Sequence, residues 1–326
     1  MLITRTPLRI SIGGGGTDLP SYYRRFGATV VSAAIDKYIF ISINKTFVDD
    51  YFIKYSALER AASVGEIEHP LVREALRLVP VPPGIEIVSM ADIPAGTGLG
   101  SSGTFTVGLL RALHAVTRQH VDAHRLAQEA CHLEIDVLGN AVGKQDQYIA
   151  SFGGLTCFEF QTDDTVIVTP LAIPTKAMHE LEEHLLLFFT GYSRSASAIL
   201  HDQKQRSESD DQAMIESLQH ADKLGRRIRT ALEAGATEEF AELMHEHWEY
   251  KRVRSAGMTN AQIDHWYEVG RRAGAIGGKL VGAGAGGFLM FYARDPARLR
   301  AAMTAEGLPE VRFHFDHDGS TVVVRD

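Results

Sequence analysis

The sequence predicts an α+β protein in two domains. Strand-type alternation dominates the opening of the chain, and two stretches of helical spacing follow it. A second block then runs from strands to helices and back to strands. Strands and helices gathered in clusters, in place of strict β-α-β-α alternation, are the mark of that class.

The elements follow in order. Leu8, Ile10 and Ile12 alternate with Arg9 and Ser11, the period of a half-buried strand. Val30 to Ile43 is β-rich around Ile39-Phe40-Ile41, and Tyr51–Tyr55 and Ile85–Val88 are shorter strand candidates. Phe105, Leu109, Leu113 and Val116 recur at helical spacing, as do Leu126, Ala130, Leu133 and Val137. The second block opens with strands at Thr156–Phe160, Val166–Thr169 and Leu185–Phe189. Polar amphipathic helices fill Asp210 to Gly274. Strands at Phe288–Ala293, Val311–Phe315 and Thr321–Arg325 close the chain, around a helix near Pro296–Glu306. The acidic turn Asp163-Asp164, with Pro170 and Pro174, places a domain boundary within Phe160–Leu185, giving domains 1–165 and 166–326.

Composition narrows the function. With 326 residues, 45% hydrophobic and 23% charged, the chain is long and apolar enough to bury a core, which excludes disorder. A net charge of −8 argues against nucleic acid or an anionic membrane as partner. Cys131 and Cys157 sit in apolar settings without the spacing of a metal site or disulfide framework. The opening Met1–Pro7 has no signal-peptide core, and the longest apolar run, Leu280–Ala293, falls short of a membrane span. The expectation is a soluble, cytoplasmic enzyme.

The 30 glycines are gathered in places. Gly13-Gly14-Gly15-Gly16-Thr17-Asp18 follows the first strand, and four consecutive glycines exceed what a turn needs. Pro94-Ala95-Gly96-Thr97-Gly98-Leu99-Gly100-Ser101-Ser102 lies between a strand and a helix, with Ser101 or Ser102 as a helix cap. Backbone amides converging at a helix N-terminus make a phosphate site. In the third cluster, Gly277 to Gly287, Gly282, Gly284 and Gly287 match GxGxxG. A dinucleotide fold needs a strand before that motif and a helix after it. Here the Tyr267–Gly274 helix precedes and a strand follows, which sets a dehydrogenase aside. A Walker A reading of Gly139–Gln145 also fails on spacing.

Two acidic residues stand out. On the helix through 126–138, the face of Leu126, Ala127, Ala130, Cys131, Leu133, Val137 and Leu138 carries one charge, Glu134. A carboxylate in that setting is paired, protonated or bound to a cation, and Mg²⁺ favours such oxygens. Asp136 shares a side with Glu129 and His132 and is read as solvated. Asp146, between Gln145 and Gln147 after a glycine turn, is either a turn residue or a base beside a phosphate loop. His245 and His247 fall on different helix faces, against a zinc site.

Taken together, these motifs resemble the GHMP kinases (galactokinase, homoserine kinase, mevalonate kinase, phosphomevalonate kinase). Pro7-Leu8-Arg9 through Asp18 is similar to the family's first motif, and Pro94 to Ser102 matches every fixed position of the second. Lys279 to Gly287 looks like the third, with Ala285 where glycine is expected. Gly14–Tyr23, Ala34–Ile39, Gly143–Tyr148 and Gly277–Gly284 resemble the branch that phosphorylates D-glycero-D-manno-heptose 7-phosphate on its anomeric hydroxyl, toward GDP-heptose for surface polysaccharide.

The resemblance implies an N-terminal domain like ribosomal protein S5 domain 2 and a ferredoxin-like C-terminal domain. It also implies ATP and Mg²⁺ as cofactors and a sugar phosphate as small-molecule partner, with a homo-oligomer left open. Pro94, Gly96, Gly98, Leu99, Gly100, Ser101 and Ser102 would bind ATP, and Ser102 and Glu134 would hold Mg²⁺. Asp146 would orient or deprotonate the attacking hydroxyl, with Arg9 stabilising transferred charge. Gly15, Gly16, Thr17, Asp18 and Gly284 would meet the sugar. Arg194, ahead of a helix starting near Ala196, is the candidate for the remote phosphate, with a structural reading equally open. Lys251, Arg252 and Arg254 are further candidates for that phosphate, with a solvated helix face as the preferred reading. The alternatives are a kinase for an unphosphorylated sugar such as fucose, and a nucleotide-binding regulator without activity.

Overall fold

The computed structural model describes residues 1–191, 197–284 and 286–325. Its strands are β1 (Leu2–Gly13), β2 (Ala28–Lys45), β3 (Tyr51–Lys54), β4 (Leu58–Ala61), β5 (Ile85–Ala91), β6 (Leu155–Phe160), β7 (Val166–Pro170), β8 (Leu185–Phe189), β9 (Ala275–Leu280), β10 (Phe288–Ala293) and β11 (Thr321–Arg325).

The first sheet runs β11-β1-β2-β5-β3-β4 and branches at β2. β2 is long enough, at 18 residues, to pair twice on one side. Its first half takes β6, which carries β7, and its second half takes β5. Every pairing in this sheet is antiparallel except β3 with β5. β7 and β11 extend this sheet, so chain from beyond residue 165 returns to it at both places. The second sheet is the antiparallel set β8-β10-β9.

Helix Ser101–Val116 lays Val107, Leu109, Leu110 and Leu113 on the first sheet. The largest core cluster joins them to Leu8 and Ile10 of β1, Leu224 and Ile228 of helix Gln212–Glu233, and Phe288 and Met290 of β10. Both sheets therefore share one apolar interior. A second cluster, with Trp248, Tyr267, Phe291 and Leu299, fills the other face of the small sheet. Among the described residues no helix is long and apolar enough to cross a membrane.

Three local expectations are corrected. Val311–Phe315 alternates as a strand does but is held only by the isolated bridge of Phe315 to Ile35 and, just before it, that of Glu310 to Phe188. Its apolar side chains are drawn in between two sheets rather than held in a ladder. β9 occupies Ala275–Leu280, where a glycine-rich loop was expected directly after the Tyr267–Gly274 helix; helix Ala261–Arg272 ends before it, so a strand and not a helix precedes Gly282. The helix through Glu134 is α-helical only over Ala123–Cys131 and continues as a π turn over His132–Val137. The wider turn rotates Val137 off the apolar face, leaving it 45% exposed.

Candidate active site

The three glycine clusters meet at one cavity of about 760 Å³. The second cluster opens helix Ser101–Val116, but its N-cap is Gly100 in the left-handed region, φ 80°, and no side chain caps it. Ser101 and Ser102 are the first helical residues, which corrects their expected capping role, and the Ser101 hydroxyl is buried without a partner. The first-turn amides are thus left for a ligand. Gly98 holds the second cluster against the third: a Cβ there would lie 2.6 Å from the Val281 carbonyl oxygen.

Arg9 projects from β1 beneath this loop. Its backbone N–H donates to the Leu99 carbonyl at 3.0 Å and its Nη1 to the Gly98 carbonyl at 2.5 Å. Its Nε donates to Asp146 Oδ1 at 2.7 Å. Asp146 stands in the first turn of helix Gln145–Phe152, where the helix dipole favours a carboxylate, and keeps 29% of its side chain exposed to the cavity.

Behind Ser102 lies Glu134, fully buried. Ser102 Oγ donates to Glu134 Oε2 at 2.5 Å, and Gln147 Nε2 to Oε1 at 2.9 Å. Burial pushes the Glu134 carboxyl above its ordinary range, and Asp146 adds to this; the Ser102 and Gln147 donors oppose it. No cationic side chain among the described residues forms an ion pair with it, and Gln147 Oε1 is buried without a partner. A buried carboxylate with hydroxyl and amide oxygens alongside is a hard, all-oxygen donor set, which fits Mg²⁺.

Asp18 is fixed from behind. Its carboxylate accepts from the Gln145 amide at 2.9 Å and the Gly16 amide at 3.2 Å. Gly143 is needed for this approach, since a Cβ there would sit 1.9 Å from Asp18 Oδ2. Burial raises the Asp18 pKa, with the Gln145 amide opposing.

The cavity has two unlike ends. One is an apolar slot lined by Ile39, Tyr55, Leu71, Ile93 and Phe105, with His69 stacked on Phe105 at 5.2 Å. The other gathers Lys251, Arg254, Lys279 and His247, all buried. This corrects the solvated face expected for 251–254: Lys251 and Arg254 turn inward at the end of helix Thr237–Arg252. Only Arg252 stays at the surface side, paired to Asp264 at 2.9 Å.

Of the residues expected at the site, Arg9, Gly15, Gly16, Asp18, Gly96, Gly98, Gly100, Ser101, Ser102 and Asp146 line this cavity, with Glu134 directly behind. Four do not line it. The Pro94 carbonyl accepts from Thr97, and Leu99 is buried in the core. Thr17 is fully buried, its hydroxyl donating to the Gly14 carbonyl at 2.7 Å, so it shapes the loop. Gly284 packs on Met258. Arg194 and Ala285 lie outside the described residues. Sequence reasoning missed His247 and gave Lys279 no role of its own. The available signal for the latter was a lone lysine inside the apolar run Ile276–Val281.

Two family models match the chain, the GHMP kinases N terminal domain over residues 61–154 and the GHMP kinases C terminal over 228–308. D-glycero-alpha-D-manno-heptose 7-phosphate kinase of Campylobacter jejuni is 29% identical over 310 residues, covering 90% of each chain. The bifunctional fucokinase/GDP-fucose pyrophosphorylase of Arabidopsis thaliana is 26% identical over 90% of this chain and 30% of its own length. A crystal structure of a D-glycero-D-manno-heptose 1-phosphate kinase from Bacteroides thetaiotaomicron superposes with a TM-score of 0.82 at 27% identity, over all of both chains. Ordered motifs, shared two-domain fold and matched family models agree: the chain belongs to the GHMP kinases and is an ATP-dependent sugar kinase.

Proposed function

We propose that this kinase transfers the γ-phosphoryl group of ATP to the anomeric C1 hydroxyl of D-glycero-D-manno-heptose 7-phosphate. The product is the 1,7-bisphosphate, a precursor of GDP-heptose for surface polysaccharide. The observation that carries the reading is the Arg9–Asp146 pair, set between the open helix N-terminus of the second glycine cluster and a cationic end of the same cavity. The similarity to the Campylobacter kinase supports the choice of sugar.

The apolar slot takes the nucleobase, and the amides of 100–102 take the phosphates. Asp146 accepts the hydrogen bond of the C1 hydroxyl, orients its oxygen toward the γ-phosphorus and takes the proton as the new O–P bond forms. The bond to the β–γ bridging oxygen breaks, and ADP leaves. A loose transition state needs little early deprotonation, so Asp146 acts chiefly by orientation. Arg9 keeps that carboxylate in place and meets charge on the transferred group. Ser102 and Glu134 would hold Mg²⁺, which when bound neutralises charge developing on the phosphates. Asp18, with Gly15 and Gly16, contacts sugar hydroxyls. Arg194 enters the proposal from the sequence alone.

A coupled ADP-release screen over heptose 7-phosphate, mannose 6-phosphate, fucose and galactose tests the assignment. Heptose 7-phosphate should give the highest kcat/KM. Preference for fucose would move the enzyme to the free-sugar kinases. No ADP release with any of the four would remove the heptose assignment.

A further inference from the structure

Among the described residues, the buried cations at one end of the cavity have no counter-charge. Lys251, Arg254 and Lys279 are 6%, 5% and 1% exposed. Among the described residues no carboxylate lies within ion-pair distance of any of them. Their partners are neutral. Lys279 Nζ donates to the Ile12 carbonyl at 3.2 Å, and Lys251 Nζ to the Leu280 carbonyl at 3.0 Å and to the Gly282 carbonyl. Arg254 Nε donates to Ser217 Oγ at 2.9 Å and Nη1 to the Gly15 carbonyl at 3.4 Å. His247 stands among them, its Nδ1 3.4 Å from Lys279 Nζ and its Nε2 buried without a partner among the described residues.

Such a cluster is unfavourable for the fold by itself. Each cation has left water, and each raises the cost of its neighbours. Burial, then Arg9 and Arg254, push the Lys279 ammonium down to about 7, and burial brings Arg254 to about 10. Clustered charges of one sign in a cleft, with an orphaned ring N–H or acceptor beside them, suit an anion with several oxygens.

We propose that Lys251, Arg254, Lys279 and His247 form a subsite for a phosphomonoester group on the acceptor, at the end remote from its reacting hydroxyl. The proposal rests on the kinase reading above and adds the residues that select a phosphorylated sugar. Placement favours the acceptor over the nucleotide as the source of the phosphate. Arg254 touches the Gly15 carbonyl, and a Cβ on Gly16 would lie 2.9 Å from its Nη1. It therefore stands at the loop that also positions Asp18, while the second glycine cluster serves the triphosphate. Two lysines and an arginine outmatch a single carboxylate and suit a dianion with three acceptor oxygens.

Steady-state kinetics with heptose 7-phosphate and the same heptose without phosphate test this. Wild type, Lys251→Met, Arg254→Gln, Arg254→Lys and Lys279→Met are compared, with the KM for ATP measured in each. Wild type should prefer the phosphorylated sugar, and each neutral substitution should cut that preference about 10²-fold, mostly through KM. Arg254→Lys should restore part of it, which a folding defect would not allow. An unaltered preference, or a KM for ATP rising as much as that for the sugar phosphate, overturns the subsite. If wild type does not turn over heptose 7-phosphate, the heptose assignment fails separately. Calorimetry with inorganic phosphate then decides the subsite: binding lost in Arg254→Gln upholds it, and no binding to wild type overturns it.

Discussion

Replacing Lys279 with methionine should stabilise the ligand-free protein while weakening its hold on the acceptor. In the folded chain, burial and the nearby Arg9 and Arg254 lower Lys279 from 10.5 to about 7. Unfolding returns it to water and to 10.5. Between pH of about 7 and 10.5 the unfolded chain thus binds the extra proton, so stability rises with pH through that window. Below it the folded ammonium carries the whole cost. The fall spans about 3.5 pH units, and at about 1.36 kcal/mol each it costs on the order of 5 kcal/mol. Methionine keeps the length and apolar stem and removes this cost. It also takes a donor from the Ile12 carbonyl, worth about 1–2 kcal/mol. The net gain at pH 6 is about 3 kcal/mol. Urea unfolding of both proteins at pH 6, 7, 8 and 9 measures it. From pH 7 upward the advantage should shrink by about 1.4 kcal/mol per pH unit. A variant less stable than wild type at pH 6, by a gap that does not move with pH, would refute the reasoning: Lys279 would then be a satisfied structural group.

Glu134→Gln keeps the size of the side chain and its contacts to Ser102 and Gln147. It should leave the melting temperature unchanged or higher, because a buried charge is removed, and lower turnover about 10²-fold or more. Near-normal turnover at low Mg²⁺ would reject Glu134 as a metal ligand. Asp146→Asn should cut kcat about 10²-fold or more and leave ATP affinity nearly intact. Retained kcat with lost nucleotide affinity would make Asp146 a binding residue. Gly98→Ala places a Cβ at φ +84° against the Val281 carbonyl, so it should cost about 1–3 kcal/mol and raise the KM for ATP. Wild-type stability and KM would mean that the two glycine loops do not need to touch.

Much of this was legible in the sequence where local pattern and tertiary burial coincide. β10 occupies Phe288–Ala293 as expected because both of its faces are apolar and covered. Glu134 was detectable because one charge on an apolar face needs an explanation, and the structure supplies it in Ser102 and Gln147, which come to Glu134 from the two neighbouring helices. β9 was hidden by Gly277 and Gly278, which read as loop. They are strand residues that must be glycine: a Cβ on Gly277 would lie 1.8 Å from the Ala241 carbonyl, and one on Gly278 2.4 Å from the Phe291 ring. Lys251 and Arg254 misled for a related reason. Charges at a helix end are solvated by default, and here β9 and the loop 13–16 cover them from distant positions in the chain. Val311–Phe315 shows the converse. Its alternation is true to burial, with Phe313 and Phe315 inside, yet it and the adjoining Glu310 meet β2 and β8 only at single bridges and join neither ladder.

The reaction proposed for this kinase is phosphorylation of C1 of a heptose that already carries a 7-phosphate. Phosphorus-31 NMR of the reaction with ATP, Mg²⁺ and D-glycero-D-manno-heptose 7-phosphate tests it most directly. A second sugar phosphorus signal, coupled to the anomeric proton, should appear in step with ADP and leave the 7-phosphate signal in place. ADP formation without an anomeric phosphate, or a new signal on any other carbon, would contradict it.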